Sequence, residues 1–531
     1  MKKNILLFLF AFSFLYPKEN RPKLIIYISI DQMRADYFER YLHHYNGGLK
    51  KLYTEGIVFK NADLNYASSE TGPGHATLGT GAYPKTNGIL GNEWVEPTTR
   101  KNMYCVADTL AGKVDGEGGG FSSKNLAVTA LGDWLKASSL QSKVVTASSK
   151  DRAAILMGGQ HPNYAFWYQK KNGYMVTSDW YTKQLPEWVK TFNASNWIAN
   201  NIPNAWTKLL PDSAYTPFGP DEFAAETKWG DNTSFPHVFT EGKKNEQIIG
   251  TPYGDMLVLD FAASAIAGEQ LGQRGVTDLL CISLSNCDYV GHGYGPDSHE
   301  QHDLLLRVDK SLGEFFEKVF ATLGKENVVI ALSADHAVCP LPEFSKQFRN
   351  INARRIVFSK EMQPKIDSLN VQLQHELKTT EHILQKGNFL NYSAAAKTGM
   401  DSVKFENRVR AGLLTIDGVT DVYFRRELLE TVQTDRPYLQ KFKNSYYVPR
   451  GEDFQLRFCE NCLIAYSETG TTHGTPYSYD THVPMIFWWN GVTPKKISEE
   501  VHIVDIAPTL ARKISVSFPA TVNGIALPQI K

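Results

Sequence analysis

Cysteine is scarce in this chain, six residues in 531, and only Cys459 and Cys462 stand close together, as Cys-Glu-Asn-Cys. A lone C-x-x-C with no second pair excludes a zinc ribbon and leaves the cysteines structural roles. Net charge is absent too: 56 Lys and Arg balance 56 Asp and Glu. A nucleic-acid binder relies on a basic surface, so no nucleic-acid partner is expected. The apolar run from Ile5 to Leu15 is too short to span a bilayer comfortably. There is neither an internal repeat nor a low-complexity tract. With 42% hydrophobic and 21% charged residues the composition is that of a folded globular chain, which excludes general disorder.

What is present begins with an export signal. Lys2 and Lys3 precede the Ile5–Leu15 run, the order of a secretory leader. A signal peptide over residues 1–18 is expected, with cleavage near residues 15–20, and no cysteine there could accept a lipid. The mature protein, 19–531, is then periplasmic or secreted, with no stable membrane insertion after cleavage and with disulfides permitted.

Unbroken apolar runs without alternation suit parallel strands buried on both faces. Lys23–Ile30 ends at Asp31; Lys143–Ser149 leads to Lys150 and Arg152; Asp278–Ser285 leads to Asp288; Val328–Ala334 leads to Asp335 and His336. Pro484–Trp489 is a fifth candidate. Between them Leu304, Leu305, Val308, Leu312, Phe315, Phe316 and Val319 form an apolar stripe at helical spacing over 303–320. The alternation predicts an α/β fold with a mostly parallel central sheet flanked by helices. Ligands of such sheets bind beyond the carboxyl ends of the strands, where the charged residues stand. Two stretches fit the alternation poorly, about 160–250, rich in Trp, Tyr, Pro and Asn, and about 343–470. Both are expected to be inserted cap segments over the strand ends.

Ser68–Thr80 supplies a further element. Thr71 precedes Gly72-Pro73-Gly74, and a helix start there would hold its hydroxyl at the positive helix end, beside N–H groups that favour an anion. By itself Thr71 reads as an N-cap. Asp288 and His292, four apart, can meet one metal ion from a single helix turn. Asp335-His336 adds an adjacent pair, Asp31 ends the first strand, and His473 lies in a small-residue loop, Gly-Thr-Thr-His-Gly. Three Asp and three His with no thiolate suit zinc, and with a Thr hydroxyl they are enough for two ions and too many for one. Paired ions about 4 Å apart clamp an in-line phosphoryl displacement.

In these residues the chain resembles the alkaline phosphatase superfamily, and within it the PafA-type periplasmic alkaline phosphatases, whose fold is like that of the type I phosphodiesterases/nucleotide pyrophosphatases. The resemblance runs from Asp31-Gln-Met-Arg to His473 and Tyr479-Asp-Thr-His-Val-Pro. It implies two Zn²⁺: Asp288, His292 and His473 hold one, and Asp31, Asp335, His336 and Thr71 the other. His473 is preferred to the nearby His482 for its His-Gly context. It further implies that Thr71 is the nucleophile, passing through a phosphothreonine, and that Asn92, Lys150 and Arg152 contact phosphate. Two zinc ions, three Asp, Lys150 and Arg152 give a site charge of about +3, which suits a monoester dianion better than a diester. The expected activity is an alkaline phosphatase acting as a monomer on small-molecule phosphate monoesters. The alternatives are a phosphodiesterase of the same superfamily and a non-catalytic zinc- or phosphate-binding protein. A formylglycine sulfatase is disfavoured because Thr71 cannot become that aldehyde.

Overall fold

The computed structural model describes residues 21–430 and 435–531; the leader expected at 1–18 lies outside them. A nine-stranded sheet forms the centre. Its strands are β1 (Leu24–Ile30), β2 (Ile57–Asp63), β3 (Val144–Ser148), β4 (Tyr164–Gln169), β5 (Tyr174–Val176), β6 (Asp278–Leu284), β7 (Val328–Ser333), β8 (His482–Trp489) and β9 (Lys495–His502). Their order across the sheet is β9-β2-β8-β7-β1-β6-β3-β4-β5. β7, β1, β6, β3 and β4 are mutually parallel.

The unbroken apolar runs do what their composition dictates. Every residue of β1, β6 and β7 is buried, because helices cover both faces. Register then sets the site. Ser148, Ser283, Ser29 and Ser333 form one row across β3, β6, β1 and β7. All four chains therefore leave the sheet at the same level, and Lys150, Asp288, Asp31 and Asp335 come within a few residues. The helices involved are α1 (Thr71–Thr80), α2 (Asp151–Gly158), α3 (Pro252–Glu269), α4 (Asn286–Tyr294) and α5 (His299–Leu323). α1 packs on α2, and α3 on α5. The seven apolar residues of the α5 stripe are all buried, each adding roughly 1.5–3 kcal/mol.

The sheet departs from the sequence reading at two places. Pro484–Trp489 is a central strand, but β8 runs antiparallel to both β7 and β2. An apolar run buried on both faces carries no strand direction, so the pattern could not reveal this. The 160–250 stretch is not wholly inserted: β4 and β5 extend the sheet, and only the residues after Val176 leave it. Three of its tryptophans bind the helices of the body. Trp206 Nε1 donates to Asp303 Oδ2 at 2.6 Å on α5, Trp188 Nε1 to Glu269 Oε1 at 2.8 Å and Trp197 Nε1 to Asp260 Oδ2 at 3.0 Å on α3. The 343–470 stretch builds a core of its own around Ile356, Leu373, Phe405, Val409, Val422 and Phe454. Within it Arg354–Val357 pairs with Cys462–Ala465, beside the Cys459–Cys462 disulfide. Cys105, Cys281, Cys287 and Cys339 are free and buried.

Candidate metal and phosphate site

Thr71 is the first residue of α1, preceded by Glu70 in extended conformation at the cap position. It is therefore not the N-cap, and its hydroxyl is free of that role. The glycines around it serve close approach: a Cβ on Gly74 would stand 2.5 Å from the Asp335 carbonyl oxygen, so α1 can lie against the end of β7 only with glycine there.

Two groups of metal-ligating side chains form at the strand ends, Asp288–His292–His473 and Asp31–Asp335–His336, each with its donor atoms within 4.8 Å of one another. His292 Nε2 lies 3.2 Å and His473 Nε2 3.5 Å from Asp288 Oδ1. His336 Nε2 lies 3.5 Å from Asp31 Oδ1 and 3.4 Å from Asp335 Oδ2. Backbone carbonyls fix the imidazole tautomers. Nδ1 of His292 faces Thr471 O at 2.8 Å, that of His473 faces Ser69 O at 2.6 Å, and that of His336 faces Ala337 O at 2.9 Å. A carbonyl only accepts, so each Nδ1 carries the hydrogen and each Nε2 presents its lone pair inward. His482 takes no part: its Nε2 faces Lys60 O at 2.8 Å.

While Lys150 Nζ meets Asp31 Oδ2 and His75 Nδ1 approaches Asp335 Oδ2, Asp31 Oδ1 and His336 Nε2 are buried without a hydrogen-bond partner, 3.5 Å from each other. Such atoms cost about 1–3 kcal/mol each unless a cation meets them, so the residues fit a bound metal ion. Burial and the Asp335 carboxylate push Asp31 upward, against Lys150. At Asp288, burial is outweighed by His292 and Lys150, and its carboxyl is held well below the usual range. Burial lowers His336 to about 3, keeping the imidazole in the neutral form that ligates.

Lys150, 3% exposed, spans the two groups, with Nζ 2.8 Å from Asp31 Oδ2 and 2.5 Å from Asp288 Oδ2. It also donates to Thr71 Oγ1 at 3.3 Å, as does Arg152 Nη2 at the same distance. Asn92 Oδ1 accepts from the Gly72 N–H at 2.7 Å, which leaves its amide nitrogen as the free donor. The structure thus brings together every residue singled out from the sequence: Asp31, Thr71, Asn92, Lys150, Arg152, Asp288, His292, Asp335, His336 and His473.

Known proteins resemble this chain over most of its length. The family model for type I phosphodiesterase / nucleotide pyrophosphatase matches residues 25–445. The chain belongs to that family. Among its relatives, alkaline phosphatase PafA of Elizabethkingia meningoseptica is 33% identical over 525 residues, 96% of this chain and 94% of the relative. A Myroides odoratus protein named calcium-transporting ATPase is 35% identical over 519 residues, 94% of this chain and 93% of the relative. The crystal structure of wild-type alkaline phosphatase PafA matches with a TM-score of 0.88 at 31% identity, covering 96% of this chain and 99% of that one. Among the described residues no helix is long and apolar enough to cross a membrane.

Three residues around this family site escaped the sequence reading. Gln32, at φ 67°, donates its N–H to Asp335 Oδ1 at 3.1 Å and its Nε2 to Asp288 Oδ1 at 2.7 Å, tying the two groups together. A left-handed glutamine costs about 1–3 kcal/mol and is held only by such contacts. His75 spans Ser283 Oγ at 2.8 Å, Thr71 O at 3.0 Å and Asp335 Oδ2 at 3.2 Å. Tyr104 donates to Asp151 Oδ1 at 2.5 Å and accepts from Arg152 Nη1 at 3.3 Å, steadying the guanidinium. The four-residue spacing from Thr71 to His75 was the one available signal, because it puts both on one helix face.

Proposed function

We propose that the protein is an exported alkaline phosphatase that hydrolyses phosphate monoesters, as a monomer with two bound zinc ions, through a phosphothreonine at Thr71. The observation that carries this reading is the convergence of Lys150 and Arg152, each 3.3 Å from the Thr71 hydroxyl, beside two groups of metal-ligating side chains. The oxygen and nitrogen donors, without thiolate, support zinc, held by Asp288, His292 and His473 and by Asp31, Asp335, His336 and Thr71. When bound, such ions supply Lewis-acid chemistry, lowering the pKa of a coordinated hydroxyl and neutralising charge on phosphoryl oxygens.

The chain's own residues account for the rest. The Arg152 fork, the Lys150 ammonium and the Asn92 amide hold the non-bridging oxygens and orient phosphorus above Thr71. Thr71 Oγ1, its proton passed to solvent, forms a bond to phosphorus as the ester P–O bond breaks in line, and the leaving alkoxide takes a proton from solvent and departs as the alcohol. Water then attacks the phosphothreonine from the vacated side, releasing inorganic phosphate and restoring the hydroxyl. His75 and Gln32 keep Thr71, Asp335 and Asp288 in position throughout.

A phosphodiesterase is the second reading, favoured by the family's name. The paired cations oppose it, since a diester carries one charge fewer and an alkyl group on an oxygen that the Arg152 fork would bind. The leader-like segment at residues 2–15 supports export. The test is a comparison of kcat/KM for a phosphate monoester, a diester and a sulfate ester on purified protein. The monoester is expected to lead by orders of magnitude; a leading diester would transfer the protein to the second reading.

A further inference from the structure

The Cys459–Cys462 disulfide stands at a corner of the 343–470 stretch. Before it, Phe454–Phe458 pairs with Val419–Phe424; after it, Cys462–Ala465 pairs with Arg354–Val357. Each flanking strand thus has a partner of its own. Backbone bonds hold the corner as well: the Cys459 N–H donates to Gly418 O at 2.8 Å and the Arg354 N–H to Asn461 O at 3.0 Å. A link that closes only four residues removes little entropy from the unfolded chain. The corner therefore does not depend on the covalent bond.

A cation faces the pair. Arg354 Nε donates to Cys462 Sγ at 3.4 Å and its Nη2 to Cys459 Sγ at 3.7 Å. Asp417 accepts from Nη1 at 2.6 Å and from Nη2 at 2.7 Å, which fixes the guanidinium against both sulfurs. A neutral disulfide gains little from such a donor, whereas a thiolate gains much, and a neighbouring arginine lowers a thiol's pKa. The guanidinium thus favours the reduced pair, the opposite of what a structural bridge needs. Cys459 is half-buried and Cys462 buried, so an incoming thiolate meets Cys459 first.

We propose that Cys459–Cys462 is a reversible thiol–disulfide exchange site, a second redox state of the folded enzyme, and that its reaction partner is a dithiol. One thiolate of the dithiol attacks Cys459 Sγ. The S–S bond breaks, and its electron pair leaves on Cys462 Sγ as a thiolate beside Arg354 Nε. The dithiol's second thiol, as a thiolate, then attacks its own sulfur in the mixed disulfide and expels Cys459 as a thiolate. The two protons lost by the dithiol reach the two cysteines through solvent. In sum, protein disulfide and dithiol become protein dithiol and a cyclic disulfide, with two electrons passing to the protein. A monothiol stalls at the first step, because Cys462, its Cα 5.3 Å from that of Cys459, expels it and closes the ring again.

The test incubates the folded enzyme, with zinc in excess, with dithiothreitol or with 2-mercaptoethanol at equal thiol concentration. Samples are quenched in acid, unfolded and alkylated, and label on the 459–462 peptide is counted by mass spectrometry while near-UV circular dichroism follows the fold. Dithiothreitol should open the bridge with the circular dichroism signal intact, and oxidised dithiothreitol should close it again. The monothiol should open it about tenfold less or lower still. A thiolate pKa lowered by about one to two, with roughly half of that felt in the rate, makes Arg354→Ala about 3- to 10-fold slower to reduce. Arg354→Lys should recover part of the loss. Asp417→Ala loosens the same corner but keeps the cation, so its rate should not fall; a merely structural Arg354 would make both alanine variants faster alike. Opening only after the circular dichroism signal is lost, equal reduction by the monothiol, or Arg354→Ala reduced as fast as wild type would overturn the proposal.

Discussion

Removing Lys150 and Arg152 together tests the choice of monoester most sharply. Both donate to the Thr71 hydroxyl at 3.3 Å, and Lys150 is almost fully buried between Asp31 and Asp288. In so dry a setting a charged contact to the transferring phosphoryl group is worth roughly 2–4 kcal/mol, or about 30- to 1000-fold in rate. The two losses should not simply add, since both groups hold one phosphoryl unit. The diester, with an alkyl group on one of those oxygens, uses less of the contact from the start. The Lys150→Ala/Arg152→Ala variant should therefore lose far more monoester than diester kcat/KM. Arg152→Lys should fall between, keeping the charge but not the fork. Steady-state assays on both substrate classes, at equal metal content, provide the measurement. An equal drop on both would mean that these residues support the fold or the metals instead of selecting the substrate.

Metal analysis of the purified protein should find about two zinc ions per chain, and chelation should abolish turnover until zinc is restored; full activity in metal-free protein would refute the metal assignment. Asp303 accepts from Trp206, Leu209, Tyr215 and Arg307 at 2.6–2.7 Å, pinning the 205–215 segment to α5. Asp303→Ala should lower unfolding free energy by about 3–5 kcal/mol in a denaturant titration. Burial, and then the Glu300 carboxylate, raise Glu226 from an ordinary 4.5 to about 10. The native chain thus keeps a proton that the unfolded chain gives up, and stability falls as pH rises through that window. Glu226→Gln should flatten the decline, read as Tm against pH from 5 to 9.

The sequence disclosed the site better than the sheet that carries it. Asp31, Asp335-His336 and Asp288 could be placed because each comes after an apolar run, and parallel strands in register release their chains at one level. Strand direction was not legible, so β8 was taken with the parallel strands. The Tyr164–Gln169 strand was hidden in an aromatic-rich stretch, and Lys495–His502 has five exposed polar positions among its eight residues, as suits an edge strand. His473 is separated from Asp288 by 185 positions, and only its local Gly-Thr-Thr-His-Gly context marked it. Gln32 and His75 left almost no trace. Each acts by holding Asp335, Asp288 or Thr71 in place, and such roles depend on which side chains meet after folding. Tyr104, on a short hairpin of Asn102–Tyr104 against Glu93–Val95 that no apolar run marks, is the same case.

The central claim is covalent: Thr71 carries the phosphoryl group between the two half-reactions. Acid quench of the enzyme during turnover of a labelled monoester, with peptide mapping afterwards, addresses it directly. Phosphate should be trapped on residue 71 in wild type and be absent in Thr71→Ala, with activity falling in parallel. Label on another residue, or undiminished turnover by Thr71→Ala, would contradict it.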